Sequence, residues 1–176
     1  MENKRPFGYV EKSWRFYGLH CMVIFTRNGV RNGYIGIPKT HKLYGVRYDQ
    51  KCEFLKLDNC KKFNGNVIRW MCADTSDGML SPDMYFQAHC GFTYSDYGKE
   101  MPKYYNADED LWYFGFDCNH CDDVQDWKLA LKYNLISLDE YKYHQSSQFR
   151  INNPIRTLEY CENNINEVIY ELIKFK

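Results

Sequence analysis

Apolar and polar positions along this chain change period more than once. Leu19 to Arg27 (Leu-His-Cys-Met-Val-Ile-Phe-Thr-Arg) is almost continuously apolar and predicts a buried strand. Asn28-Gly29 and Asn32-Gly33 are turn signals, and Tyr34 to Ile37 predicts the returning strand, closed by Pro38. Lys39 to Gly45 reads as an exposed loop, and Cys52 to Leu57 as a further strand. Asn64-Gly65 starts a turn before a strand over Asn66 to Cys72, and Asp77-Gly78 and Ser81-Pro82 punctuate the next connection. Met84 to Tyr94 alternates: Met84, Phe86, Ala88, Cys90 and Phe92 fall on one face of a strand, and Tyr85, Gln87, His89, Gly91 and Thr93 on the other. Ser95 to Asp110 is a polar stretch with the composition of a flap or a hairpin connection. Leu111 to Asp117 is the last strand, with Trp112, Phe114 and Phe116 on one face.

Beyond Asp117 the period becomes helical. Asp123 has the position of a cap for a helix running through about Asn134, with Asp126 three residues on. Ser137-Leu-Asp-Glu140 is a capping box opening a short helix. Asn153-Pro154 opens the longest helix, whose stripe of Leu158, Cys161, Ile165, Val168, Ile169, Leu172 and Ile173 should dock on the sheet. The expected fold class is α+β: a mainly antiparallel sheet of about five or six strands with C-terminal helices packed on one face. One domain is expected over 1–176, sheet-forming to about residue 121 and helical from about 122.

Composition narrows the partners. The 23 basic and 23 acidic residues balance, so no bulk field recruits nucleic acid or an anionic membrane. The longest apolar run, Cys21 to Phe25, is far too short to span a bilayer, and no signal-peptide pattern opens the chain. A cytosolic, reducing setting is therefore expected, with the eight Cys as thiols and not disulfides. The 16 Tyr suit half-buried strand packing and also stacking surfaces.

Candidate chemistry concentrates after the last strand. From Asp117 to Asp123 the chain carries three carboxylates, one imidazole and two thiols. Such groups are costly near a core unless they pair, bind metal or react. Asp117 and His120 at a strand-to-helix junction can hold a general base in place or ligate a metal, with Asp123 as a further ligand. His89 should meet Asp117 if the two strands are neighbours. The Cys118-Asn-His-Cys121 spacing supplies half of a zinc site, but no second CxxC exists. Arg156 can face a phosphate or a carboxylate. P-loop and GxGxxG spacings are absent.

Four blocks occur in order: Tyr34-Ile-Gly-Ile-Pro-Lys-Thr-His-Lys-Leu-Tyr-Gly45, His89-Cys-Gly-Phe-Thr-Tyr-Ser95, Trp112-Tyr-Phe-Gly-Phe-Asp-Cys-Asn-His-Cys-Asp-Asp123 and Arg156-Thr-Leu-Glu-Tyr160. Together they resemble a family of small phage and prophage proteins with the pattern GxPxxHPLYG, HGGxTYS, WWxGFDCAHxxD and YRTLEYV. The chain departs at Lys42 (Pro in the pattern), Cys90 (Gly) and Cys121 (a small residue). The resemblance implies a phage accessory protein of the host cytoplasm, and marks His41, His89, Thr93, Asp117, His120, Asp123, Arg156 and Glu159 as the polar motif positions. By analogy with counter-defence factors, the expected function is hydrolysis of a phosphoester or nucleotide-like signal. His89, Asp117 and His120 would be catalytic. Thr93, Tyr94, Arg156, Glu159 and His41 would bind substrate, and Asp117, His120 and Asp123 a divalent metal if one is used. The alternative is a binding protein that sequesters a nucleotide signal or inhibits a host defence protein; a virion component is a third class.

Overall fold

The computed structural model describes residues 5–60, 67–120, 122–147 and 153–176. β1 (Gly8–Phe16), β2 (Leu19–Thr26), β3 (Arg31–Ile37), β7 (Trp112–Asp117) and β6 (Tyr94–Tyr97) form an antiparallel sheet in the order β1-β2-β3-β7-β6. β4 (Cys52–Lys56) and β5 (Met79–Leu80) pair separately. Three short helices, α1 (Val67–Cys72), α2 (Pro82–Tyr85) and α3 (Trp127–Lys132), and two longer ones, α4 (Leu138–Ser147) and α5 (Leu158–Leu172), complete the α+β architecture.

Alternation along β2 divides the interior. Leu19, Cys21 and Val23 face α5, whose Cys161, Ile165, Val168, Ile169 and Leu172 close the larger core together with Ile35, Phe114 and Phe116. This is the stripe that the helical period predicts, and burying each such side chain is worth about 1.5–3 kcal/mol. Phe25 continues the same face under α3 and α4, against Ala130, Leu135 and Ile136. Met22 and Ile24 face the other way and are covered by Met101, Tyr105, Leu111 and Tyr113.

Several local expectations are corrected. The 84–94 alternation is not a strand: α2 occupies its start, Cys90 and Gly91 take positive φ (53° and 94°), and pairing begins only at Tyr94. Met84, Phe86, Ala88 and Phe92 are nonetheless buried, because an irregular segment crossing a core can bury alternate side chains without a ladder. Residues 67–72 are helical and not extended, and the Asn64-Gly65 turn lies outside the described residues. Lys39–Gly45 is not wholly exposed, since His41 and Leu43 are buried. The 95–110 stretch is no free flap. It supplies edge strand β6 and two 3-10 turns, and buries Met101 and Tyr105 on the sheet. Thr157, not Asn153, caps α5, accepting from the Tyr160 N–H, and Asp126, not Asp123, caps α3, accepting from the Leu129 N–H at 2.9 Å. The capping box holds as expected: Ser137 N donates to Glu140 at 2.6 Å and Glu140 N to Ser137 Oγ at 3.1 Å.

Asn32-Gly33 is a strand segment and not a turn, for a packing reason. Gly33 pairs with Phe116, and a Cβ there would lie 2.4 Å from the Phe116 ring and 3.2 Å from Ile165 of α5. Gly33→Ala should therefore destabilise the fold by about 1–3 kcal/mol through overpacking. Urea denaturation checks this; an unchanged midpoint would mean that the α5 contact is looser than the structure has it.

Candidate functional site

The site forms where the end of β7, the following loop and the start of α5 converge on the segment after α2. Tyr160 and Asn164, four residues apart, share one side of α5, and Arg156 stands just before its cap, Thr157. All three meet the 89–123 region. His89 N donates to Asn164 Oδ1 at 2.9 Å, His89 Nδ1 lies 2.8 Å from the Tyr160 hydroxyl, and Arg156 Nε donates to Asp123 Oδ1 at 2.7 Å. His89 Nε2 lies 2.9 Å from Asp123 Oδ2, which also accepts the His120 backbone N–H at 2.9 Å.

Asp123 is thus the hub of a polar knot. Its side chain is 1% exposed, and three donors converge on it. Burial pushes its carboxyl up, but the hydrogen bonds from Arg156, the His120 N–H and His89 outweigh that and hold it below the usual carboxylate range. An ionised Asp123 can only accept, so it fixes the proton of His89 on Nε2 and leaves Nδ1 to accept from Tyr160. Burial raises the Tyr160 phenol, so it stays protonated as that donor.

A second, more open pair sits at the rim. Asp117 Oδ2 accepts from Thr93 Oγ1 at 2.8 Å, and Oδ1 accepts the Asn119 N–H at 3.1 Å and lies 3.9 Å from His120 Nε2. His120 Nε2 is buried and has no hydrogen-bond partner among the described residues, while the side chain as a whole is 30% exposed. The His89 and His120 rings are 5.3 Å apart between centroids. Arg156 stacks over Tyr160 at 4.8 Å, and its terminal guanidinium nitrogens make no hydrogen bond among the described residues.

Of the residues singled out from sequence, the fold gathers His89, Asp117, His120, Asp123, Arg156 and Thr93. His89 turns to Asp123 and not to Asp117, because it belongs to an irregular segment and not to the strand beside β7. His41 lies at the far end of α5, buried, with Nε2 on the Leu172 carbonyl at 3.0 Å and Nδ1 accepting from Leu43 N. Tyr94 packs edge-on against Tyr34, on the sheet face away from α5. Glu159 is exposed in the first turn of α5, where a carboxylate complements the helix dipole. Tyr160 and Asn164 were missed; their four-residue spacing within α5, which puts them on one side of the helix, is the signal that could have found them.

The thiols separate. Cys118 points into the core, 3.7 Å from Cys161, and this neighbour together with burial pushes its thiol up, which makes it inert. Cys121 lies outside the described residues. Cys90 is exposed beside the knot, its sulfur 4.0 Å from His89 Nε2. His89, Cys90 and His120 bring one donor atom each within 4.8 Å of one another, a nitrogen and sulfur set of the kind that suits zinc. Using it would require His89 Nε2 to exchange Asp123 for the metal. The expected oxygen ligand Asp123 already accepts from three donors.

A scan against protein-family models finds no match, and searches of curated proteins and of solved structures find none either. No helix among the described residues is long and apolar enough to cross a membrane.

Proposed function

We propose that this chain is a small phage-encoded hydrolase that cleaves a phosphoester in a nucleotide-like signal molecule, in a counter-defence role. The observation that carries the reading is the His120–Asp117 pair: a partly exposed imidazole whose buried Nε2 lies 3.9 Å from a partly exposed carboxylate. A carboxylate at that distance stabilises by its charge the imidazolium formed when the ring takes a proton from the attacking water. Thr93 holds Asp117, and Asp123 holds the His120 backbone, so both partners are positioned from behind. Arg156, whose terminal guanidinium nitrogens make no hydrogen bond among the described residues, would take an anionic oxygen. His89, buried with both nitrogens engaged, acts here as a positioning residue.

That same full engagement of His89 favours a second reading, in which the site captures a nucleotide signal without turnover. The two are separated by incubating the protein with linear and cyclic nucleotides, with and without EDTA, and following products by chromatography. Hydrolysis that falls about a hundredfold in His120→Ala, and less in His120→Gln, supports the enzyme. Recovery of intact nucleotide from denatured protein supports capture. If the panel is neither hydrolysed nor retained, both readings fail in favour of a host-protein partner. An EDTA-sensitive rate restored by zinc would support a zinc requirement, for which His89, Cys90 and His120 are the candidate ligands.

A further inference from the structure

A second feature lies at the other end of α5, about 16 Å along the helix from Tyr160 at 1.5 Å per residue. There a cavity of about 290 Å³ is lined by Phe54, Tyr85 and Phe175, with Glu171 and Lys174 among its polar groups. Tyr85 and Phe175 meet edge to face at 5.7 Å between centroids, so the aromatic wall is already packed. Glu171 Oε2 is buried and has no hydrogen-bond partner among the described residues. Lys174, three residues on, is exposed and makes no ion pair with Glu171 among those residues.

An unpartnered buried carboxylate oxygen is costly. Its position makes it costlier, because Glu171 sits in the last turn of α5, where the helix dipole disfavours negative charge and favours a cation. The carboxylate also acts on its neighbour: burial first, and then the Glu171 charge, raise the Tyr85 phenol. Aromatic faces attract cations through the ring quadrupole, and more strongly where water is excluded. A carboxylate backed by aromatic rings is therefore complementary to a desolvated organic cation and not to an anion or a neutral base. Mobile inorganic cations lack the apolar surface that would use the rings.

We infer that this cavity is a binding site for an organic cation, a guanidinium or alkylammonium group whose N–H donors meet Glu171 and whose face or stem packs on Tyr85 and Phe175. The site is independent of the hydrolytic reading: it shares α5 with the His120 centre but none of its residues. A free diamine-type metabolite and an arginine side chain of a peptide present the same group, and the volume admits either.

The test is calorimetric titration of the whole protein with butylguanidinium and with butylurea, its neutral isostere. Butylguanidinium should bind saturably and at least tenfold more tightly than butylurea, with an affinity that weakens as salt rises. Glu171→Gln should weaken it at least tenfold while leaving thermal unfolding unchanged or raised, since the orphan charge is gone. Phe175→Leu, which keeps bulk and removes the π face, should weaken it severalfold. Agmatine against N-acetylarginine methylamide then tells a free ligand from a peptide side chain. Equal binding of butylurea, an unaltered affinity in Glu171→Gln, or no saturable binding of either probe at millimolar concentration would overturn the inference. Nucleotide turnover in Glu171→Gln should match the wild type, so failure of this site and failure of the hydrolase reading are told apart.

Discussion

Replacing Asp123 with alanine is expected to lower the unfolding free energy by about 3–5 kcal/mol, the range for breaking a buried ion pair by removing one partner. Three donors lose their acceptor together: Arg156 Nε, His89 Nε2 and the His120 backbone N–H. The side chain is 1% exposed, so water does not reach the vacated position as it would at a surface pair, where the loss would stay below about 1 kcal/mol. Asp123→Asn keeps the shape but turns one acceptor into a donor facing a donor, so it should also destabilise strongly. In an Asp123→Ala/Arg156→Ala double variant the loss should be smaller than the sum of the single losses, because the second change removes a group already left unpaired. The pH dependence has a definite sign. The folded Asp123 carboxyl is held below its ordinary value, so its contribution is fully present above about pH 4 and is lost as pH falls through the folded pKa. Acid unfolding of the wild type should therefore steepen below about pH 4, and Asp123→Ala should show a flatter acid limb. Urea titrations across pH 2–7 measure both; a loss under about 1 kcal/mol would show that solvent enters the knot.

How much of this was legible in the chain depended on how local each signal is. β2, β3 and β7 carry runs that only a strand buries well, and the α5 stripe has a period no strand shares, so these elements and the α+β class follow from patterning. The density of ionisable groups at 117–123 was equally local; Asp117 does end β7, with His120 three residues on, but the expected helix opens only at Trp127. What failed were features decided by distant partners. Alternation over 84–94 is the same whether the segment pairs or merely crosses a core, and only the docking of Asn164 on His89 N reveals which. Asp123 has the composition of a cap, and nothing within ten residues says that Arg156 will claim it. The CxxC spacing suggested a shared ligand role for its thiols, yet the peptide following β7 turns Cys118 inward to Cys161.

Glu11→Ala is expected to match the Asp123 effect, at about 3–5 kcal/mol, and to reach the site from a distance. Glu11 sits in β1 where the register with β2 slips between Val10 and Lys12, a bulge that re-aims its side chain. The carboxylate takes a two-pronged contact from Arg31 (Nε at 2.6 Å, Nη2 at 2.9 Å) and a third bond from the Tyr133 hydroxyl at 3.0 Å. Both charged side chains are below a tenth exposed, so removing Glu11 strands a guanidinium against the Phe25 ring with no counter-charge. The consequence extends beyond stability because Arg31 Nη1 donates to the carbonyl of Arg156 at 2.8 Å, just before α5 begins. Releasing Arg31 loosens the backbone that aims Arg156 at Asp123 and at any bound anion. A Glu11→Leu/Arg31→Met pair separates the two effects. Replacing the whole buried pair by apolar groups of similar volume should recover much of the stability, but the Arg156 carbonyl still loses its donor. If the double variant regains both stability and ligand binding, Arg31 serves the core alone. If stability returns while Arg156-dependent binding stays weakened, the Glu11–Arg31 pair positions the site, which is the outcome the shared carbonyl predicts.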